Sequence, residues 1–166
     1  MTTAIYPGSF DPITNGHLDV LERASKIFKK VIMAVLVNPN KNSFLSTETK
    51  VALIKESVSH LNNVEVDSFM GLTVEYAKAK NADVLIRGLR AVSDFEYEMQ
   101  MAQINQNLGP QLDTIFLITK VENNFVSSSI VKEISLLGGD ISQFVPKPVN
   151  THFNNLKNQK DNMYKN

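Results

Sequence analysis

The sequence predicts an α/β fold, namely one Rossmann-like domain with a five-stranded, mostly parallel sheet covered by helices on both faces. Short apolar runs rich in β-branched residues alternate along the chain with longer segments of helical period. The longest run, Val31 to Val37, is apolar at every position, which is typical of a strand buried on both faces of a parallel sheet. With 166 residues, 43% of them hydrophobic, the chain has the size and apolar content of one domain with one core.

Five apolar runs predict the strands. They lie at Ala4 to Tyr6, Val31 to Val37, Val64 to Phe69, Val84 to Ile86, and Thr114 to Ile118. The first helix is predicted from about His17 to Phe28, because Leu18, Leu21 and Ala24 fall on one helical face. Later helices are predicted to begin near Ser46, Thr73, Ser93 and Ser128.

The boundaries of two segments can also be predicted. Ser93 and Glu96 have the spacing of a capping box, so Gly88 to Ala91 is predicted to form the turn before that helix. Residues 150–166 contain six Asn and three Lys with few apolar side chains. We therefore expect one folded domain over residues 1–149 and a polar C-terminal tail over 150–166 that frays after a short helix.

Composition excludes several classes of function. Lys and Arg number 17, as do Asp and Glu, so no net charge attracts nucleic acid or an anionic membrane. The absence of cysteine excludes thiol nucleophiles and disulfides. The first residues lack the pattern of an export signal, and no apolar run approaches the roughly 20 residues of a membrane-spanning helix. We expect a cytoplasmic protein with neither a membrane nor a nucleic-acid partner.

The predicted turn after the first strand has the features of a phosphate site. It reads Tyr6-Pro7-Gly8-Ser9-Phe10-Asp11-Pro12-Ile13-Thr14-Asn15-Gly16-His17. A helix N-terminus offers unpaired N–H groups, glycine lets the backbone approach a ligand, and His17 adds a side-chain donor. The glycines and prolines also fit a turn with a purely geometric role, so this segment alone leaves both interpretations open.

Two common nucleotide signatures are absent from the sequence, G-x-G-x-x-G after the first strand and G-x-x-x-x-G-K-[ST], which argues against a Rossmann dehydrogenase and a P-loop NTPase. The tetrad Thr14-Asn15-Gly16-His17 instead resembles the T/H-x-G-H signature of the nucleotidyltransferase superfamily. A longer resemblance, to the bacterial-type phosphopantetheine adenylyltransferases, extends over roughly Ala4 to Val145. It is carried by Tyr6 to His17, by Ile86 to Ala91 with Asp94 to Glu98, and by Phe125 to Glu133.

This resemblance implies transfer of AMP from ATP to 4'-phosphopantetheine, a step of coenzyme A biosynthesis that gives dephospho-coenzyme A and pyrophosphate. It implies catalytic roles for His17, Lys41 and Arg90, and contacts with the pantetheine substrate by Ser9, Lys41, Thr73 and Arg87. It implies ATP contacts by Ser9, Phe10, His17, Gly88, Leu89, Arg90, Glu98, Asn123, Asn124, Phe125, Val126, Ser127, Ser128 and Ser129. It further implies Mg²⁺ held mainly by the ATP phosphates with no protein ligand, a homo-hexamer, and coenzyme A as a feedback inhibitor.

Structural interpretations of the same side chains stay open at this point. Lys41 also fits a solvated loop lysine, and Arg87 fits a salt bridge with Glu96 or Glu98. The serines at 127–129 fit a helix cap, a role compatible with phosphate binding.

Two other groups of residues receive non-catalytic interpretations. The helix after the fourth strand has two apolar stripes, which predict a core contact and a subunit contact: Phe95, Met99 and Ala102, and Met101, Ile104 and Leu108. His60 and His152 lack partners at metal-ligand spacing and are interpreted as structural.

Two rival functions also stay open. The first is a nucleotidyltransferase acting on another phosphate ester, such as nicotinamide mononucleotide or glycerol phosphate. Resemblance to those enzymes would imply an arginine after the final Ser/Thr turn. The basic residue at that point of this chain is Lys132. The second is a non-catalytic nucleotide-binding module, since fold alone does not confer activity.

Overall fold

Strands and helices alternate along the chain in the computed structural model, which describes residues 2–163 without the side chains of residues 92, 93 and 160–163. The strands are β1 (Thr3–Gly8), β2 (Lys30–Val37), β3 (Val64–Met70), β4 (Val84–Leu89) and β5 (Asp113–Ile118). The helices are α1 (Asn15–Ile27), α2 (Thr47–Ser57), α3 (Thr73–Ala79), α4 (Val92–Leu108), α5 (Ser128–Leu136) and α6 (Lys147–Met163). A 3-10 turn covers Val121–Asn123.

The sheet has the strand order β3-β2-β1-β4-β5, and every neighbouring pair is parallel. The predicted fold class is confirmed, and the sheet is wholly rather than mostly parallel. The chain builds outward from β1 to β3, then crosses to β4 on the other side of β1. The carboxyl ends of β1 and β4 therefore flank a topological switch point, where open α/β sheets leave a crevice for ligands.

The central strands β1 and β2 are buried on both faces of the sheet, as their apolar runs predict. Along β1, Ala4 and Tyr6 belong to one buried cluster, whereas Ile5 belongs to the cluster on the opposite face. The larger cluster includes residues of α1, α2, α5 and α6, and the smaller one includes Val74 and Ala77 of α3. This arrangement holds the carboxyl ends of β1 and β4 between two layers of helices.

The predicted turn at Gly88 to Ala91 is wrong in its extent. Strand β4 continues to Leu89, because its pairing with β5 continues to Leu89 opposite Ile118. Helix α4 begins at Val92 with Ala91 as its N-cap and without a side-chain cap hydrogen bond. The side chain of Ser93, the predicted cap, lies outside the described residues.

The C-terminal stretch is helical over more of its length than the sequence suggests. Helix α6 extends from Lys147 to Met163 and so crosses the predicted boundary at residue 150. Val149 and Phe153 are buried in the larger cluster, and the Phe153 ring stacks on Phe44 with 5.5 Å between ring centroids. The start of the expected tail is thus part of the core, because Val149 and Phe153 attach an otherwise largely polar helix to the domain.

Candidate active site

A cavity of about 450 Å³ opens at the carboxyl ends of β1 and β4. Its walls come from the turn after β1, from the end of β4, from the first turns of α4 and from the serines that begin α5. Most of the residues expected from the sequence line it: Ser9, Phe10, His17, Arg87, Gly88, Arg90, Glu98, Val126, Ser127, Ser128 and Ser129. The structure thus brings together at one cavity three motifs that are far apart in the sequence.

His17 is oriented by the N-terminal cap of its own helix. Thr14 is the N-cap of α1, and its backbone N–H donates to His17 Nδ1 at 3.0 Å. Since Nδ1 acts as the acceptor, the ring proton resides on Nε2. Burial, with the charges of Arg90 and Arg87, lowers the pKa of His17 from 6.5 to about 4. His17 is therefore a neutral hydrogen-bond donor at the cavity near pH 7.

The aromatic residues beside His17 require a glycine in β1. The Phe10 ring stands edge-on to the His17 ring, with 5.1 Å between their centroids, and Phe10 has a positive φ of 42°. A side chain at Gly8 would bring its Cβ to within 2.8 Å of the Phe10 ring. Gly8 therefore leaves the space in which Phe10 lies against His17.

Each arginine of the cavity has a carboxylate partner. Arg87 makes a bidentate pair with Glu98, with Nη2 at 2.6 Å from Oε1, and donates from Nη1 to the Pro7 carbonyl at 3.0 Å. This is one of the two salt bridges that the sequence left open. Arg90 pairs with Asp94 at 3.1 Å. Each guanidinium has five N–H donors, so both arginines keep donors for a phosphate while paired.

The serine-rich segment begins α5 at the cavity. Ser127 is the N-cap, and its hydroxyl accepts from the N–H of Ile130 at 3.1 Å. The hydroxyl of Ser128 donates to the Pro12 carbonyl at 2.7 Å, which ties this helix to the turn after β1. Backbone N–H groups in the first turn of a helix lack intrahelical partners and favour anions. Capping and phosphate binding are therefore compatible here, as expected.

Six residues expected at the site do not line this cavity. Lys41 is exposed in the loop between β2 and α2, and Thr73 lines an adjoining cavity of about 140 Å³. That smaller cavity shares Gly8, Arg87 and Glu98 with the main one. The other four are Leu89, within β4, and Asn123, Asn124 and Phe125, in and after the 3-10 turn.

Eight residues to which the sequence assigned no substrate contact also line the main cavity: Tyr6, Pro7, Gly8, Thr14, Gly16, Asp94, Tyr97 and Thr119. Asp94 follows Arg90 by four residues, a spacing that could have indicated their ion pair. Tyr97 adjoins Glu98 in α4, and the sequence alone does not show which face of this helix lies towards the cavity. Burial raises the pKa of Tyr6 well above its usual value, so its hydroxyl stays neutral.

The two remaining histidines lie away from the cavity. His60 Nε2 lies 3.0 Å from Glu22 Oε1 at an exposed position, and the His152 ring packs edge-on against Phe153. Among residues 2–163, as far as their side chains are described, no group of three His, Cys, Asp or Glu could hold a metal ion. No helix of that same part of the chain is long and apolar enough to span a bilayer.

The fold and this cavity define a nucleotidyltransferase of the α/β type, and residues 5–134 match the family model for cytidylyltransferase-like proteins. The chain belongs to the phosphopantetheine adenylyltransferases within that family. It is 60% identical over 146 residues to the phosphopantetheine adenylyltransferase of Synechococcus sp. (strain JA-2-3B'a(2-13)), covering 88% of this chain and 92% of the relative. It is 52% identical over 149 residues to that of Alkaliphilus metalliredigens (strain QYMF), covering 90% and 95%.

A solved structure supports the fold alone. It is a protein of Vibrio parahaemolyticus provisionally assigned as a nicotinate-nucleotide adenylyltransferase. The TM-score is 0.68 at 17% sequence identity, and the match covers 92% of this chain and 99% of the other.

Proposed function

We propose that this chain transfers the AMP part of ATP to the phosphate of 4'-phosphopantetheine, giving dephospho-coenzyme A and pyrophosphate. Relatives at 52% and 60% identity over most of the chain carry the name of this activity. The structural observation that supports it most strongly is the neutral His17, oriented by Thr14 in the same cavity as two arginines and the start of α5. Such a set of donors suits a reaction in which negative charge accumulates on phosphate oxygens.

The substrate itself supplies the nucleophile. An oxygen of the pantetheine phosphate attacks the α-phosphorus of ATP, the bond from that phosphorus to the β-phosphate oxygen breaks, and pyrophosphate leaves with the electron pair. A phosphate monoester is already largely ionised near neutral pH, so the protein needs no strong base. Its contribution is alignment and charge stabilisation.

The residues divide between the two substrates in this proposal. His17 donates from Nε2 to an α-phosphate oxygen, while Arg90 and the N-terminus of α5 bind the departing pyrophosphate. Lys41, Ser9 and Arg87 bind the attacking phosphate, and the adjoining cavity at Thr73 accepts part of the pantetheine arm. The remaining ATP contacts are proposed for Phe10, Gly88, Leu89, Glu98 and residues 123–129.

We propose that Mg²⁺ enters as the ATP complex. Mg²⁺ commonly binds through substrate phosphates with only one or two carboxylates, which fits a cavity whose Asp94 and Glu98 are both paired with arginines. When bound, the ion neutralises charge on the phosphates. Chelation with EDTA is expected to abolish product formation, and added Mg²⁺ to restore it.

We further propose assembly, regulation and location as the family resemblance implies them. Helix α4 exposes 50% of Ile104 and 56% of Leu108, which lie on one side of the helix, and a contact between copies would cover this apolar surface. The proposed assembly contains six copies of the chain. In this proposal coenzyme A inhibits the enzyme by binding at the same cavity, and the enzyme acts in the cytoplasm.

The first test follows pyrophosphate and dephospho-coenzyme A together, with Mg-ATP and 4'-phosphopantetheine as substrates. Equal release of both products is expected, with kcat lower by about a hundredfold or more in His17→Ala. His60→Ala is the matched control and should retain full activity, because His60 lies outside the cavity. ATP binding without turnover would favour a nucleotide-binding module. Turnover only with nicotinamide mononucleotide or glycerol phosphate would favour another transferase.

A further inference from the structure

The loop that carries Lys41 is fixed at one end. Residues 38–42 are exposed, and the backbone N–H groups of Lys41 and Asn40 donate within the loop, to the carbonyl of Asn38 at 3.1 Å and to its Oδ1 at 2.9 Å. The next residues are attached to other parts of the fold. Lys50 Nζ donates to Ser43 Oγ at 2.8 Å, and Phe44 stacks on Phe153. The contacts that attach this loop to the rest of the fold thus begin at Ser43, two residues after Lys41.

The strongest attachment is to the carboxylate of Asp11. The backbone N–H groups of Phe44 and Leu45 donate to its two oxygens, each at 2.9 Å. Lys132 Nζ donates to Oδ2 at 3.1 Å. Burial acts to raise the pKa of Asp11, but these three donors outweigh it, and the pKa lies below its usual value. Asp11 is therefore a buried carboxylate with charge-assisted hydrogen bonds to two distant segments.

Asp11 and Lys132 both belong to segments that form the main cavity. Asp11 directly follows Phe10, and Lys132 lies one helical turn after Ser128 on α5. Ser128 also bonds to the carbonyl of Pro12, the neighbour of Asp11. One carboxylate thus joins the turn after β1, the N-terminal half of α5 and the Lys41 loop.

We infer that Asp11 is a positioning residue that holds the Lys41 loop at the acceptor phosphate, with Lys132 as its counter-ion. This inference rests on the proposed function, since it assigns Lys41 to the phosphate of 4'-phosphopantetheine. His17 and Ser127 are placed by helix caps that do not involve Asp11. Losing the Asp11 carboxylate should therefore weaken use of the acceptor far more than use of ATP.

Asp11→Asn tests this division, because an amide presents an NH₂ group to donors that need an acceptor. The expected result is a KM for 4'-phosphopantetheine raised about tenfold, with the KM for ATP changed by less than about twofold. Asp140→Asn is the control. Its carboxylate also accepts two hydrogen bonds, from Ser142, but on an exposed turn, and both KM values should stay unchanged. Equal increases in both KM values for Asp11→Asn would overturn the inference.

Two further variants address the role of the ion pair. Lys132→Met removes one donor to Asp11 and should selectively raise the KM for 4'-phosphopantetheine. This variant also provides the test if Asp11→Asn does not fold. Lys132→Arg keeps a cation opposite Asp11 and should restore the wild-type KM to within about twofold. An Arg variant as impaired as the Met variant would overturn the role of Lys132.

A double-mutant cycle determines whether Asp11 acts through Lys41. In a Lys41→Ala background, Asp11→Asn should change the acceptor KM by less than about twofold, because the side chain that it positions is absent. An undiminished effect in that background would overturn the inference.

Amide hydrogen exchange tests the attachment without any turnover. The backbone amides of Phe44 and Leu45, which donate to Asp11, should exchange at least about tenfold faster in Asp11→Asn than in Asp140→Asn. Unchanged exchange would overturn the inference whichever substrate the enzyme uses. Faster exchange in a protein that makes no dephospho-coenzyme A would instead overturn the proposed function.

Discussion

His17 owes its properties to two features of its surroundings. The Thr14 N–H fixes the proton on Nε2, and burial beside two arginines keeps the ring neutral. A neutral imidazole that donates one hydrogen bond suits an α-phosphate oxygen, and with a pKa of about 4 this ring stays neutral near pH 7. In the proposed reaction His17 therefore needs no proton transfer, in agreement with a substrate that supplies its own nucleophile.

The lowered pKa of His17 predicts a dependence of stability on pH. The folded chain has a pKa of about 4 at this site, whereas an unfolded histidine titrates near 6.5. The unfolded state thus binds more protons between these values, and the stability contributed by neutral His17 is complete above pH 6.5 and lost as pH falls towards 4. Urea unfolding should show this loss in wild type and a smaller one in His17→Gln. His60→Gln should show the same pH dependence of the free energy of unfolding as wild type. The same pH dependence in all three proteins would contradict the lowered pKa of His17.

At the scale of single elements, α1 serves the site through its N-cap. Thr14→Ala removes the hydroxyl that caps the helix and also contacts His17 Nδ1 at 3.1 Å. It should lower the free energy of unfolding by about 1 kcal/mol and kcat by about tenfold. Ser46→Ala is the matched control, since it removes the N-cap hydroxyl of α2 outside the cavity. It should cost similar stability with unchanged kcat, and a similar fall in kcat for both variants would exclude a specific role of Thr14.

The sequence predicted which elements exist better than it predicted where they end. Apolar runs indicate β1, β2 and the start of β4 because burial on both faces requires apolar residues throughout, whereas the edge strands β3 and β5 are largely unburied. The end of β4 depends on its pairing with β5, which no local pattern encodes. Likewise, Ser93 offered a capping box, but α4 begins with Ala91 as its N-cap. The first residue of α4 therefore depends on where strand β4 ends.

The site was predictable where a motif is continuous and less so where residues meet through the fold. His17, Gly88 and Ser127–Ser129 lie in such motifs and do line the cavity. The bond of Asp11 to a loop 33 residues further along the chain has no sequence signature. The choice of Glu98 rather than Glu96 as the partner of Arg87 likewise follows from which face of α4 adjoins β4.

At the scale of the whole molecule, α6 completes the core. Phe153 is 3% exposed and packs against the segment that follows the Lys41 loop. Phe153→Ala should therefore lower the free energy of unfolding by about 3–5 kcal/mol. Asn154→Ala, at an exposed position of the same helix, should change it by less than about 0.5 kcal/mol. Denaturant unfolding of both variants measures the difference, and equal small effects would show that α6 is not packed on the core.

The exposed apolar side of α4 predicts self-assembly. Light scattering should give a mass about six times the chain mass of 18.6 kDa. Ile104→Asp places a charge on this surface and should produce smaller species. Gln103→Asp adds the same charge on the polar side of the helix and should leave the mass unchanged. A monomeric wild type, or equal masses for the two variants, would contradict assembly through α4.

The pairing of Arg87 with Glu98 and of Arg90 with Asp94 has a consequence for how substrates arrive. With His17 neutral, the charges of these two pairs cancel, and the chain as a whole has equal numbers of acidic and basic residues. Such a protein projects little long-range electrostatic field towards an approaching polyanion. Capture of the nucleotide then relies on donors that act only at contact, so its association rate should vary little with ionic strength.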